Sequence, residues 1–235
     1  MLLFLRSLLF SLGYFVAVIV ISILGVLAWP LPFKFRFQIV TLLNRFVMVW
    51  VSFCCGIRFQ IKGHYDASEG PYVVISKHSS TWETMFLQYY FQPISTILKR
   101  ELLRIPFFGW GLATLRPIAI DRGSPIQALK QIKREGKKRL ADGTNVLIYP
   151  EGTRIPFGDK GTYARSGADI AKAAGVKIIP VAHDAGRHWP KGKFIKQPGT
   201  ITVTIGSPMS TDDRKSKEIM AEVETWIEGN IAEMN

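Results

Sequence analysis

The segment Lys77-His78-Ser79-Ser80-Thr81-Trp82-Glu83 sets an imidazole and a carboxylate five positions apart, just where the apolar run Tyr72 to Ser76 gives way to a helical pattern. A neutral imidazole can take a proton from an alcohol, and a carboxylate beside it fixes the tautomer and stabilises the imidazolium that forms. Inside one helix the two side chains would point roughly 140° apart and could not meet. With Ser80 or Thr81 as N-cap, Glu83 falls in the first helical turn, and the preceding loop can fold His78 back onto it. The same residues also spell a capping box, Ser80-Thr81-Trp82-Glu83, in which the carboxylate serves only the helix end and His78 is an ordinary loop residue. On these residues alone both readings stand.

A second cluster, Asn145 to Arg154, is a strand opening into the turn Glu151-Gly152-Thr153-Arg154. Small residues there expose backbone amides, and a guanidinium can hold phosphate oxygens in a fork, so the turn suits a phosphate. A structural Glu151–Arg154 pair is the alternative. Lys99 and Arg122 close two further short apolar runs. Cations arriving from several strand ends near one histidine and carboxylate suit a substrate with a phosphate beside a reactive hydroxyl. His64, His183 and His188 lie outside these clusters on expected loops and are read as structural.

These groups need a scaffold, and the pattern after Gly56 supplies an α/β one. Strands are expected near 57–62, 72–76, 95–98, 117–120, 145–149, 177–181 and 200–205. Helices are expected at 81–91, 125–141, 165–174 and 212–231, the last burying Ile219, Val223, Trp226 and Ile227. Length and pattern divide the chain into a membrane-associated helical segment, 1–55, and an α/β domain, 56–235.

Ser7 to Phe33 is a run of 27 uncharged residues, enough to cross a bilayer's hydrocarbon core as a helix. Val26-Leu27-Ala28 is a passable signal cleavage site, but the apolar run exceeds the usual signal core. Pro30 and Pro32 end the helix, and the Lys34 and Arg36 that follow place the α/β domain on the cytoplasmic side. From Phe37 to Phe53 a stripe of Gln38, Thr41, Arg45 and Ser52 suggests a second helix in the interface. The two helices form either a span or a hairpin dipping into one leaflet.

The formal charge is +12, and fourteen Lys or Arg face six Asp or Glu between Lys99 and Arg165. An anionic partner follows, nucleic acid or lipid head groups, and the apolar segment favours lipid. The adjacent Cys54 and Cys55 are not placed to pair with each other, and no Cys or His spacing suggests a metal.

The order of His78-x4-Glu83, Arg116-Pro-Ile-Ala-Ile-Asp-Arg122, Glu151-Gly-Thr-Arg154 and Val176-Lys-Ile-Ile-Pro-Val181 resembles the glycerolipid acyltransferase family over roughly residues 57 to 210. The resemblance implies a mixed α/β sheet wrapped by helices, with an N-terminal membrane helix pair. It implies transfer of a fatty acyl group to the sn-2 hydroxyl of 1-acylglycerol-3-phosphate, giving phosphatidic acid. The donor would be a thioester of coenzyme A or acyl carrier protein, a co-substrate, with no cofactor or metal. In that reading His78 is the base and Glu83 its partner, where the family usually has aspartate. Lys99, Arg122, Glu151, Gly152, Thr153 and Arg154 bind the acceptor phosphate, and Pro180 serves either the acyl donor or core packing. The chain has no Gly-x-Ser-x-Gly elbow, and its cysteines lie beside the membrane segment, so direct transfer is expected rather than an acyl-enzyme. Another lysolipid acceptor, such as a lyso-ornithine lipid, or a non-catalytic membrane-tethered binder of anionic ligands, are the alternatives.

Overall fold

Alternation along one strand sets the layers of the molecule. In β2 (Val73–Ser76), Val74 enters one apolar cluster while Val73 and Ile75 enter another, because successive strand side chains leave opposite faces. The computed structural model describes residues 1–234, so Asn235, the last residue of the expected α/β domain, lies outside them. Around β2 it builds a seven-stranded sheet. The order is β1 (Ile57–Lys62), β7 (Gly199–Ile205), β6 (Ile178–His183), β2, β5 (Asn145–Ile148), β3 (Ile94–Lys99) and β4 (Ile118–Ile120). Neighbours run parallel except β6 and β7. The expected mixed sheet is present, and β2 is buried on both faces, as a central parallel strand with an unbroken apolar run should be.

Helices α1 (Leu2–Leu27), α2 (Phe33–Cys55), α3 (Trp82–Tyr90) and α4 (Phe108–Thr114) cover one face. On the other lie α5 (Pro125–Ala141), α6 (Ser166–Ala174) and α8 (Ser216–Ala232); a single turn, α7 (Ala185–His188), links β6 to β7. The α5 limits are those expected, because Pro125 stands at its start, where a missing N–H costs nothing. Strand β6 runs past Pro180 to His183, and His188 lies in α7, so neither histidine sits on the loop expected for it. Helix α4 was not expected, since Gly109 and Gly111 dilute its periodicity. Gly111 is required there: a Cβ would stand 2.7 Å from Ser22 Oγ of α1.

The N-terminal helices pack on each other, and α1 also packs on α4 while α2 packs on α3 and β1. Near one end of α1, Lys196 N–H donates to Ser7 Oγ at 3.0 Å; near the other, Gly25 lies against Val40 and Thr114. Phe10, Val47 and Val51 share a core with Trp82 and Phe86. Of the expected polar stripe of α2, Gln38 and Arg45 are exposed and Ser52 is half-buried, whereas Thr41 is buried and its hydroxyl donates to Phe37 O at 2.8 Å. Leu42, Phe46, Val49 and Phe53 of α2 are exposed as well, as are Leu5, Leu12, Phe15 and Val16 of α1. Both helices are long and apolar enough to cross a membrane.

Candidate active site

β2 ends at Ser76, and the chain turns through His78 before α3 starts at Trp82. This turn folds His78 back, so that Nδ1 lies 2.8 Å from Glu83 Oε1. The same oxygen accepts the backbone N–H of Ser79 at 3.1 Å and of Ser80 at 3.0 Å, while Ser80 Oγ accepts Trp82 N–H at 3.1 Å. Helix capping and imidazole orientation, alternatives in the sequence, are therefore served by one carboxylate. Burial opposes ionisation of Glu83, but the His78 hydrogen bond, the His183 and His78 charges and the Ser80 amide outweigh it and hold the carboxyl below its usual range. An ionised Glu83 accepts a hydrogen bond from His78 Nδ1–H, which leaves the lone pair on Nε2. The opposite constraint on the ring is Tyr149, stacked on the imidazole at 4.1 Å between centroids and 20° between planes.

The Glu151–Arg154 turn is tied to this loop through the backbone. Ile155 N–H donates to His78 O at 2.7 Å, and His78 N–H to Glu151 Oε1 at 3.3 Å. Glu151 itself points away from the substrate side, which corrects its expected place in the phosphate pocket. Its buried carboxylate lies 3.6 Å from Lys77 Nζ, and Lys77 donates to Glu228 of α8 at 2.8 Å and to Asp159 O at 2.9 Å. Tyr163 OH completes the group by donating to Glu228 at 2.7 Å. Burial pushes the Glu151 carboxyl up to about 7; backbone amides and Lys77 oppose that, and Glu228 adds to it. Glu151 thus stiffens the turn from beneath.

Above the turn opens a cavity of about 640 Å³, lined by His78, Lys99, Arg122, Gly152, Thr153 and Arg154. Among the described residues none of these three cations forms an ion pair, and Arg154 Nε is buried without a partner. A buried donor with no acceptor is costly unless something fills the space. Pro180 is absent from the lining; it pairs in register with Ile75, and its ring meets Gly206, which places it in core packing. Away from the cations the walls turn apolar, with Val18, Ile21, Leu43 and Met85 from one sheet face and Ala128 and Ile132 from the other. A hydrogen-bonded row crosses this wall, Asn44 Nδ2 to Gln88 Oε1 at 3.2 Å and Gln88 Nε2 to Thr96 Oγ1 at 3.4 Å.

His183 is buried, with Nε2 2.9 Å from Lys77 O and Nδ1 accepting Ala185 N–H at 3.3 Å, so both its nitrogens serve the backbone. His64 stays exposed on its loop. Sequence reasoning missed Tyr149, Lys77 and the helix walls. An aromatic residue ending the strand before Pro150-Glu151 was the only available signal for the stacking. Nothing in the sequence links Lys77 to Glu228, 151 positions away. Among the described residues no cluster of three His, Cys, Asp or Glu is placed to hold a metal.

Comparison with known proteins agrees with this architecture. The chain is 46% identical over 209 residues to 1-acyl-sn-glycerol-3-phosphate acyltransferase of Pseudomonas aeruginosa, covering 87% of this chain and 81% of that protein. It is 27% identical over 196 residues to the enzyme of the same name from Limnanthes alba, covering 82% and 68%. The crystal structure of the 1-acyl-sn-glycerophosphate (LPA) acyltransferase PlsC from Thermotoga maritima shares the fold, with a TM-score of 0.79 at 21% identity over 98% of this chain and 95% of that one. The family model described as Acyltransferase matches residues 58–184, which include both the His78–Glu83 dyad and the Arg154 turn, and the chain belongs to that family.

Proposed function

We propose that this acyltransferase esterifies the sn-2 hydroxyl of 1-acylglycerol-3-phosphate to give phosphatidic acid, drawing the acyl group from a thioester of coenzyme A or acyl carrier protein. The observation that carries the reading is one cavity holding an oriented imidazole, three cations without a carboxylate partner among the described residues, and a long apolar wall. The relatives named for this activity support the choice of acceptor.

In the mechanism, Lys99, Arg122 and Arg154 hold the acceptor phosphate, and Gly152 and Thr153 shape the turn beside it. His78 Nε2 removes the proton of the acceptor hydroxyl as its oxygen attacks the thioester carbonyl carbon. Glu83 stabilises the imidazolium. The tetrahedral intermediate collapses with cleavage of the carbon–sulfur bond, and the imidazolium returns its proton to the thiolate, so the ring ends neutral. The apolar wall accommodates acyl chain, and the surrounding side chains keep bulk water from competing for the carbonyl.

The helix pair brings this chemistry to lipid. Helix α1 is roughly 39 Å long at 1.5 Å per residue, yet both its ends rest on the α/β layers. A perpendicular span would drag those layers into hydrocarbon, so we read the pair as lying in one leaflet with its apolar side down. The cytoplasmic leaflet is the one the flanking Lys34 and Arg36 favour.

The test is turnover of labelled acyl thioester by the purified full chain, with lysophosphatidic acid and lyso-ornithine lipid offered separately. Phosphatidic acid is the expected product, and His78→Ala should lower its rate by roughly 10²–10⁴-fold. Preference for the ornithine acceptor overturns the substrate assignment. Equal rates for wild type and His78→Ala overturn the chemistry.

A further inference from the structure

A second groove, of about 970 Å³, lies where the start of α1, the end of α2 and the first residues of β1 and β7 meet, and it shares no lining residue with the catalytic cavity. Three arginines converge on it: Arg6 from α1, Arg45 from α2 and Arg58 from β1. Arg6 is fixed by its Nε donating to Cys54 O at 2.7 Å. Gly56 leaves room for the rest of that guanidinium, since a Cβ there would stand 3.1 Å from Arg6 Nη2. Among the described residues none of the three makes an ion pair, although Lys77, Arg116, Lys160, Lys177 and Arg214 each hold a carboxylate. Three like charges in one groove repel, and among the described residues no carboxylate answers them within ion-pair distance.

The remaining walls identify what answers them. Val49 and Phe53 are 66% and 74% exposed and belong to the apolar surface of α2. Ser52, Tyr89 and Thr200 also line the groove. Topology then fixes the direction in which the groove opens. β7 runs antiparallel to β6, whereas β6, β2, β5, β3 and β4 are mutually parallel, so β1 and β7 begin at the sheet end where β2 and β5 finish. The groove therefore opens at the same end of the sheet as His78 and Arg154. We infer that it binds an anionic glycerophospholipid of the bilayer, the head-group phosphate held by Arg6, Arg45 and Arg58 and the chains running over Val49 and Phe53. Arginine suits this role because its planar fork matches phosphate oxygens. The bound lipid does not react; it seats the catalytic mouth on the leaflet. This extends the membrane reading proposed above.

The experiment uses the full chain and the double variant Arg45→Gln/Arg58→Gln, both positions being exposed. Binding is measured by flotation with vesicles of phosphatidylcholine alone or with phosphatidylglycerol added, a readout that needs no turnover. Wild type should bind the anionic vesicles more tightly, and the double variant should lose about 10–30-fold of that gain. A control, Lys133→Gln/Lys137→Gln on the exposed side of α5, should keep nearly all of it. Transfer in neutral detergent micelles should be the same for wild type and the arginine variant, so failure of the proposed chemistry shows in micelles and failure of the site shows in flotation. Equal losses in the arginine and lysine variants would mean general surface charge and overturn the proposal. Full displacement of the vesicles by millimolar inorganic phosphate would mean a small-anion site and overturn it too.

Discussion

Glu83 is where two functions of one carboxylate can be separated. Its Oε1 accepts from His78 Nδ1, Ser79 N and Ser80 N at once, in full burial. In Glu83→Gln the amide oxygen can still accept from the two serine amides, so the helix start survives. The charge that stabilises the imidazolium is gone. With charge centres about 4 Å apart and an effective dielectric constant near 20, that attraction is worth about 4 kcal/mol. Discounting some of it for relaxation leaves roughly 3–4 kcal/mol, or about a 10²–10³-fold loss in kcat. Glu83→Asp restores the residue usual in the resembling family but withdraws the carboxylate by about 1.5 Å. The 2.8 Å contact then opens to about 4 Å, outside hydrogen-bonding distance, and two buried amides lose their acceptor at about 1–3 kcal/mol each. The aspartate variant should therefore lose at least tenfold in kcat and also several degrees in Tm, while the glutamine variant loses kcat with Tm nearly unchanged. Acyl-transfer kinetics beside thermal melts at neutral pH check both. A glutamine variant within about threefold of wild-type kcat refutes the assignment of imidazolium stabilisation to this side chain.

Arg154→Gln should raise KM for a phosphate-bearing acceptor by about 10–100-fold while leaving a phosphate-free lysolipid unaffected, as paired acceptor kinetics would show. Glu151 gives a pH signature. Its folded value of about 7 lies above the ordinary 4.5, so its contribution to stability is greatest below pH 4.5, falls as pH rises to 7, and is flat beyond. Denaturant unfolding across that window should show wild type losing about 3 kcal/mol from this group, a slope that Glu151→Gln removes. Gly111→Ala should lower stability by about 1–3 kcal/mol by pushing α1 from α4, with partial recovery on adding Ser22→Gly; thermal melts decide it.

The sequence by itself determined the strands, most helices and the α/β class, because those depend on local periodicity and on markers such as Pro125 and Gly56. It also singled out His78, Lys99, Arg122 and Arg154 as candidates, since each stands at or just past a strand end, with Glu83 in the helical turn that follows His78. What it could not decide was direction. Glu151 and Arg154 are three residues apart, yet one points down into the Lys77–Glu228 group and the other up into the cavity. That choice depends on α8, far along the chain. Nor could it show that Glu83 serves both the helix start and the His78 ring, because those contacts exist only once the loop folds back. The arginine groove is the extreme case: Arg6, Arg45 and Arg58 belong to three separate elements. Spacing along a chain records local geometry, whereas burial, orientation and the pairing or isolation of charges are set by segments distant in sequence, and only tertiary packing brings those together.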